Sequence, residues 1–179
     1  DSEFKVFADA ARSDASRVVA LRVPAGATKL TRSAIDNYTQ FVSRYGAKGL
    51  AYVKVNDLEK GVEGLQSPII KFLGEDTTLA VLKAAGAQSG DVVFFGAGPS
   101  QIVNDSMGNL REKIGQDLSL LEGEWCCFWV THFPMFEKTT DQSGSRFQSV
   151  HHPFTQPSKD HELPEKWHSR SYDMVINGY

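Results

Sequence analysis

The chain has 179 residues and a formal net charge of −3, and 41% of its residues are hydrophobic and 23% charged. A chain of this length buries enough surface for a core without staples, and its composition excludes a disordered tail, a collagen-like fibre and a coiled coil. No apolar run approaches the roughly 18 residues that a membrane span needs, so we expect no membrane association. The first residues carry neither a secretory signal nor an initiator Met, so we expect a processed chain or a piece of a longer one.

The residues up to 118 alternate between strand and helix patterns, which predicts one compact α+β or α/β unit with a boundary near 120–125. The apolar strand of this series is expected to be covered on both faces. In chain order, the patterns predict a strand over 18–23, a helix from a Thr31 cap to a Gly46 stop, a strand over 50–55, a short partner strand over 61–65, a helix starting at Ser67-Pro68, a helix over 75–85, an apolar strand over 91–96 and a long helix over 98–118.

The composition becomes aromatic after residue 124 and predicts a smaller, incomplete sheet. Residues 156–171 are polar and are expected to form at most a short helix. The remaining predictions are a strand from Trp125 into a bend at Pro134, a polar turn over 139–145, a second strand over 146–150 that pairs antiparallel with the first, and a last strand over 172–177.

The net charge hides two segments of opposite sign. Residues 17–54 contain seven basic side chains and one acidic, whereas residues 57–124 contain five basic and eleven acidic. Because a polyanion responds to the local field, the basic segment is a candidate RNA-facing surface. Two alternatives stay open: solvated side chains without a partner, and docking of the two segments on each other.

Common catalytic motifs are absent from the sequence. Residues 96–98 read Gly-Ala-Gly without the third glycine of a dinucleotide motif, so a tight turn before a helix explains them better. The five histidines follow no zinc-binding spacing. Cys126 and Cys127 are adjacent, which predicts two free thiols on alternate faces of a strand and fits a reducing, cytoplasmic compartment. His151 and His152 at a strand end are predicted to point to opposite faces, either as a structural pair or with one imidazole facing an anionic ligand.

Several strings of the sequence, taken together, resemble bacterial-type aspartyl-tRNA synthetase. The upstream strings resemble the insertion domain of that family, called GAD, which also occurs in the B subunit of tRNA-dependent amidotransferases. The strings are Leu21-Arg22-Val23-Pro24, Tyr45-Gly46-Ala47-Lys48-Gly49-Leu50-Ala51-Tyr52, Ser67-Pro68, Phe94-Phe95-Gly96-Ala97, Trp129-Val130 with Phe133-Pro134-Met135-Phe136-Glu137, His151-His152-Pro153-Phe154-Thr155 with Pro157, and Tyr172-Asp173-Met174-Val175 with Asn177-Gly178-Tyr179.

The resemblance implies an α+β chain in two parts. Residues 1–122 would form a GAD insertion domain, a mixed sheet with helices. Residues 123–179 would form an incomplete, antiparallel-sheet piece of a class II synthetase catalytic domain.

The same resemblance implies the activity of the parent enzyme. A cytoplasmic, homodimeric aspartate–tRNA ligase would activate L-aspartate with ATP and Mg²⁺ and transfer it to the 3′ end of an aspartate-specific, or also an asparagine-specific, tRNA. The chain alone is expected to be inactive and to hold no cofactor, because the family's phosphate-binding and metal-binding motifs are not in the sequence. The alternative function is a non-catalytic GAD module that binds tRNA or serves as a structural spacer.

The resemblance assigns few site residues. His151 matches the histidine that contacts the aspartate substrate, and His152 is its neighbour in the same pocket. No residue is assigned a catalytic or metal-binding role. Arg32, Arg44 and Lys48 of the basic segment are predicted to contact tRNA. His132 stands where family members commonly have Asp, a departure that affects only local hydrogen bonding.

Overall fold

The computed structural model describes residues 5–141 and 144–178 of the chain. The chain divides into two compact units, with the division between Leu121 and Glu122. This division lies directly beside the boundary that the sequence predicts. Within the described ranges, no helix is both long enough and apolar enough to cross a membrane.

Helices pack on a four-stranded sheet in the first unit. A 3-10 turn, Leu58–Gly64, precedes the third strand. The elements in chain order are α1 (Lys5–Arg12), β1 (Ser16–Val23), α2 (Gly26–Lys29), α3 (Arg32–Ser43), β2 (Ala51–Val55), β3 (Leu65–Gln66), α4 (Ile70–Leu73), α5 (Glu75–Ala84), β4 (Val92–Pro99) and α6 (Ser100–Asp117).

The strand order is β1-β4-β2-β3, and every neighbouring pair is antiparallel. The expectation of a mixed sheet is therefore wrong. β1 and β2 run in the same direction and are joined through α2 and α3, but β4 is inserted between them and runs opposite to both. This split arrangement of a β–α–β unit leaves no parallel pair in contact.

The helix α3 forms as its end signals predict. The Thr31 hydroxyl accepts a hydrogen bond from the Ala34 N–H at 3.2 Å, which satisfies one of the free amides of the first turn. Leu30 and Ile35, on either side of the cap, are both buried. The chain leaves the helix through Gly46, whose φ of 87° suits a residue without a β-carbon.

The strand β4 is the centre of this unit because helices cover both of its faces. Val92 and Phe94 pack into a cluster with buried residues of α3 and α6, whereas Val93 and Phe95 pack into a second cluster with residues of α4 and α5. The prediction of a strand covered on both faces is confirmed.

The helix α1 has no counterpart among the sequence predictions. It is only eight residues long, and no glycine follows its last residue, Arg12, to mark its end as Gly46 marks the end of α3. The ring of Phe7 packs against Phe95 with centroids 5.7 Å apart, and Ala10 is buried. Tertiary packing on the sheet therefore stabilises a helix whose local signals are weak.

Two separate pairs of strands form the second unit. β5 (Cys127–Val130) pairs antiparallel with β8 (Asp173–Ile176), and β6 (Phe136–Asp141) pairs antiparallel with β7 (Gly144–Ser149). A 3-10 turn, Pro164–Lys166, is the short helix expected in the polar stretch.

The predicted pairing of the second unit is wrong. The strand over 146–150 pairs with β6 rather than with the first aromatic strand, which pairs with the last strand of the chain. The aromatic stretch is interrupted by His132, whose φ is 60°, and by Pro134, so a new strand starts at Phe136. The predicted turn over 139–145 is mostly strand, and its residues 142–143 lie outside the described residues.

Candidate functional site

His151 and His152 follow the end of β7 and do not lie on the strand itself. His151 is half-buried, and its ring lies 6.1 Å from the ring of Phe133. Its Nε2 is 3.1 Å from the carbonyl oxygen of Pro134. Because a carbonyl only accepts, Nε2 must carry the proton, and Nδ1 is the nitrogen left for another partner.

His152 presents the opposite nitrogen. The N–H of Phe154 donates to its Nδ1 at 3.2 Å, and the two rings stand edge to face with centroids 4.9 Å apart. Because a main-chain N–H only donates, Nδ1 is the acceptor and Nε2 carries the proton. The exposed His152 ring therefore has a donor, Nε2–H, that is free to bind an anion.

Sequence reasoning missed a hydrogen-bonded cluster around Asp160. The Ser158 hydroxyl donates to Asp160 Oδ1 at 2.5 Å, and His168 Nδ1 lies 2.6 Å from Asp160 Oδ2. The Ser158 hydrogen bond, followed by the His168 hydrogen bond, holds the pKa of the Asp160 carboxyl well below its usual range. The serine donates to the carboxylate and not to the histidine, so the cluster is not arranged to activate a nucleophile. Ser158 and Asp160 lie eight or more positions before His168, and no sequence motif links the three residues.

Metal-ligand residues do not gather in the described residues: no group of three or more His, Cys, Asp or Glu is placed to hold an ion there. Cys126 and Cys127 are both free and exposed. The Cys126 N–H donates to Asn177 Oδ1 at 2.7 Å, and Cys127 is the first residue of β5. Only Cys127 thus lies on a strand.

Three cations of the basic segment bind other residues of the first unit. Arg17 donates to Asn104 Oδ1 at 2.7 Å, and Lys54 donates to the carbonyl of Leu30 at 2.8 Å. Arg22 Nε lies 2.6 Å from Oδ2 of the buried Asp91, which belongs to the acidic segment. Docking of the two segments on each other therefore accounts for Arg22.

The other four cations are exposed and form no ion pair with the described residues. The predicted tRNA contacts are among them, but they do not form one compact patch. Arg32 and Arg44 lie at opposite ends of α3, about 18 Å apart along the helix axis. Lys48 follows α3, on the loop after its C-terminal end. The four are Lys29, Arg32, Arg44 and Lys48.

Lys48 also lines a cavity of about 430 Å³ within the first unit. The walls of the cavity come from α1, from residues 46–50, from the end of β4 and from the first turns of α6. The sequence predicts a tight turn for the Gly96-Ala97-Gly98 string, which forms one of these walls, but the string is part of β4. Gly98 faces open space, whereas Met107 packs against Gly96.

A model of the GAD domain family matches residues 7–107, which is more than half of the chain. The chain belongs to the GAD domain family. This domain is found in class II aminoacyl-tRNA synthetases and gives the chain a synthetase context. The match runs from α1 into α6, so the sheet, the basic segment and every residue that lines the cavity except Val6 lie in the matched range. It does not extend to His151 and His152.

Proposed function

We propose that the chain is part of an aspartate–tRNA ligase, which activates L-aspartate with ATP and Mg²⁺ and transfers it to the 3′ end of tRNA. The GAD match over residues 7–107 is the observation that carries the proposal, because it supports a ligase of translation. The strings around Pro134, His151 and Tyr172 favour aspartate as the amino acid. The same resemblance suggests a cytoplasmic homodimer.

The geometry of the two histidines supports a role in binding the amino acid. The free Nε2–H of His152 can donate to a carboxylate of aspartate, and hydrogen bonds to an ionised acceptor are stronger than neutral ones. His151, whose Nε2 is bound to Pro134, can donate only through a protonated Nδ1. In the full enzyme, we expect His152→Ala to raise KM for aspartate more than His151→Ala does.

ATP supplies the adenylate group, and Mg²⁺ neutralises its phosphates in reactions of this class. The described residues supply no ligand cluster for Mg²⁺, so we assign no step of that chemistry to this chain. We expect the chain alone to show no aspartate-dependent ATP–pyrophosphate exchange, because it cannot stabilise charge on the reacting phosphates. Measurable exchange by this polypeptide would contradict the expectation.

A second candidate function, a tRNA-binding GAD module, is favoured by the four exposed cations without ion pairs. We expect Arg32→Glu, Arg44→Glu and Lys48→Glu each to weaken tRNA binding and to lower its salt dependence by about one unit of slope per lost phosphate contact. Lys71→Glu is the matched control, since Lys71 is an exposed lysine of the acidic segment. An equal loss of tRNA affinity from Lys71→Glu would show that tRNA binding depends on the net charge of the chain and not on these three positions.

A purely structural GAD module makes a different prediction. Aminoacylation by the full enzyme would be unchanged after the same charge reversals. Truncation of Leu110, which is fully buried in the cluster between α3 and α6, would still destabilise the domain by about 2–5 kcal/mol. Unchanged tRNA affinity together with this instability would favour the structural module over the RNA-binding one.

A further inference from the structure

The cavity in the GAD domain has an apolar floor and a charged rim. Its volume is about 430 Å³, enough for a group of the size of a nucleoside. The buried side chains of Val42, Leu50, Val103 and Met107 form part of the floor. The rim carries exposed side chains of both signs, Asp9 of α1 and Lys48.

One wall of the cavity is a strand end with an unpaired side. β2 begins at Ala51, opposite Phe95, whereas β4 continues to Pro99 and pairs there only with β1. Residues 46–50, which precede β2, line the cavity together with β4 residues 96–99. In an antiparallel strand, the N–H and C=O groups of alternate residues point toward the neighbouring strand on one side and then on the other. On the side away from β1, residues 96–99 therefore have N–H and C=O groups without a strand partner. Gly98 has no side chain to cover this wall and open space where one would be, whereas Met107 packs against Gly96.

We propose that this cavity binds one unpaired nucleotide of RNA, with the base inside and its phosphate at Lys48. The inference rests on the proposed tRNA-binding function of the GAD domain and specifies how part of that binding occurs. A base has an apolar face for the aliphatic floor and a polar edge for the main-chain groups of β4, which an aliphatic side chain would leave without hydrogen bonds.

The charges at the rim fit the same ligand. Lys48 has no ion pair among the described residues and can neutralise a phosphate that stays at the surface. The Asp9 carboxylate can accept from an exocyclic amino group of a base, and it disfavours entry of the phosphate itself. α6 begins at Ser100, directly after the cavity-lining Pro99, and the positive end of its dipole adds attraction for an anion nearby.

The test compares an intact RNA with RNAs that lack one base but keep the same sugar–phosphate backbone. Affinities of the full chain are measured by fluorescence anisotropy for a short single-stranded oligoribonucleotide and for versions with one abasic ribose at successive positions. We expect the affinity to fall about tenfold when the abasic site lies at the bound position.

Variants of the cavity test the same contact from the protein side. Ile102→Ala, which enlarges the cavity at α6, should reduce the difference in affinity between intact and abasic RNA. Lys48→Ala should weaken the binding of both RNAs. Lys71→Ala, at an exposed lysine of the acidic segment that does not line the cavity, is the matched control for Lys48→Ala.

A second measurement does not depend on the variants. In an NMR titration with AMP or CMP, the amide signals of Gly96, Ala97 and Gly98 should shift, and ribose 5-phosphate should leave them unchanged. Equal affinity for normal and abasic RNA at every position, with salt-dependent binding retained, would overturn the cavity proposal and leave the tRNA-binding function standing. Failure of all the RNAs to bind at low salt would overturn both.

Discussion

Asp91 is a buried polar residue that connects several segments of the first unit. Its carboxylate is buried and accepts hydrogen bonds from Arg22 Nε at 2.6 Å, from the Gln88 N–H at 2.9 Å and from the Ala25 N–H at 3.0 Å. The first bond joins β1 to the start of β4, and the last fixes the turn before α2. The residue thus organises three segments with one side chain.

We expect Asp91→Ala to lower the free energy of unfolding by about 2–4 kcal/mol, because it leaves two main-chain donors and a partly buried guanidinium without an acceptor. Urea denaturation measures the change. The control is Asp105→Ala, since Asp105 is exposed on α6 and its hydrogen bond is to the neighbouring Gln101. A similar loss from both variants would show that the burial of Asp91 does not matter.

Tyr38 links the stability of the first unit to alkaline pH. Burial and the 3.0 Å hydrogen bond from its hydroxyl to Asp117 raise the pKa of the Tyr38 phenol to about 12. In the unfolded chain the phenol loses its proton near pH 10, so the folded state binds more protons between about pH 10 and pH 12. The contribution of this group is therefore complete below pH 10 and is lost as the pH rises toward 12.

The prediction is that the urea midpoint of the wild-type chain falls over this interval more steeply than that of Tyr38→Phe. Ultraviolet titration of tyrosinate provides an independent readout, because the wild-type chain should show a rise in absorbance near pH 12 that Tyr38→Phe lacks. Identical slopes for wild type and variant would contradict the assignment.

The residue types of the candidate site could be predicted, but their geometry could not. The His151-His152 string is visible in the sequence, yet alternation on a strand would have sent the two rings to opposite faces. The structure instead fixes them by bonds to Pro134 and Phe154, after β7 has ended. His132 shows the same limit. Its φ of 60° lies in a region that Asp tolerates as well as His does, and its Nδ1 bonds to the Thr131 hydroxyl.

Single elements of the first unit could be predicted because their end signals are local. α3 is the best example, since the Thr31 cap, the apolar period and Gly46 lie within one stretch of chain. The order of the sheet could not be predicted in this way. The position of β4 between β1 and β2 depends on pairing between residues that are more than 35 positions apart, and no local pattern encodes it.

The cap of α3 provides a prediction at the scale of one element. Thr31→Ala removes the acceptor of the Ala34 N–H and should lower the free energy of unfolding by about 1 kcal/mol. Thr31→Ser keeps a hydroxyl at the cap and should retain most of the stability. Urea denaturation of the two variants measures the difference. Equal stability of both variants would show that water can replace the hydroxyl cap with no loss of unfolding free energy.

The two units differ in how completely each buries its own apolar residues. The first contains two buried clusters on the two faces of one sheet. In the second, Met135 and Ser169 are buried among the described side chains, whereas Trp129, Tyr172 and Met174 remain more than half exposed beside one another across β5 and β8. A two-stranded sheet is marginal in water, so most of the chain's independent stability resides in the GAD domain.

The whole-molecule claim is that this chain belongs to a ligase for aspartate. Its most direct test is ATP–pyrophosphate exchange by the full enzyme that we propose, measured with aspartate, asparagine and lysine in turn. We predict exchange that depends on L-aspartate alone and that weakens on substitution of His152. Exchange supported by asparagine or lysine, or no exchange with aspartate, would contradict the account.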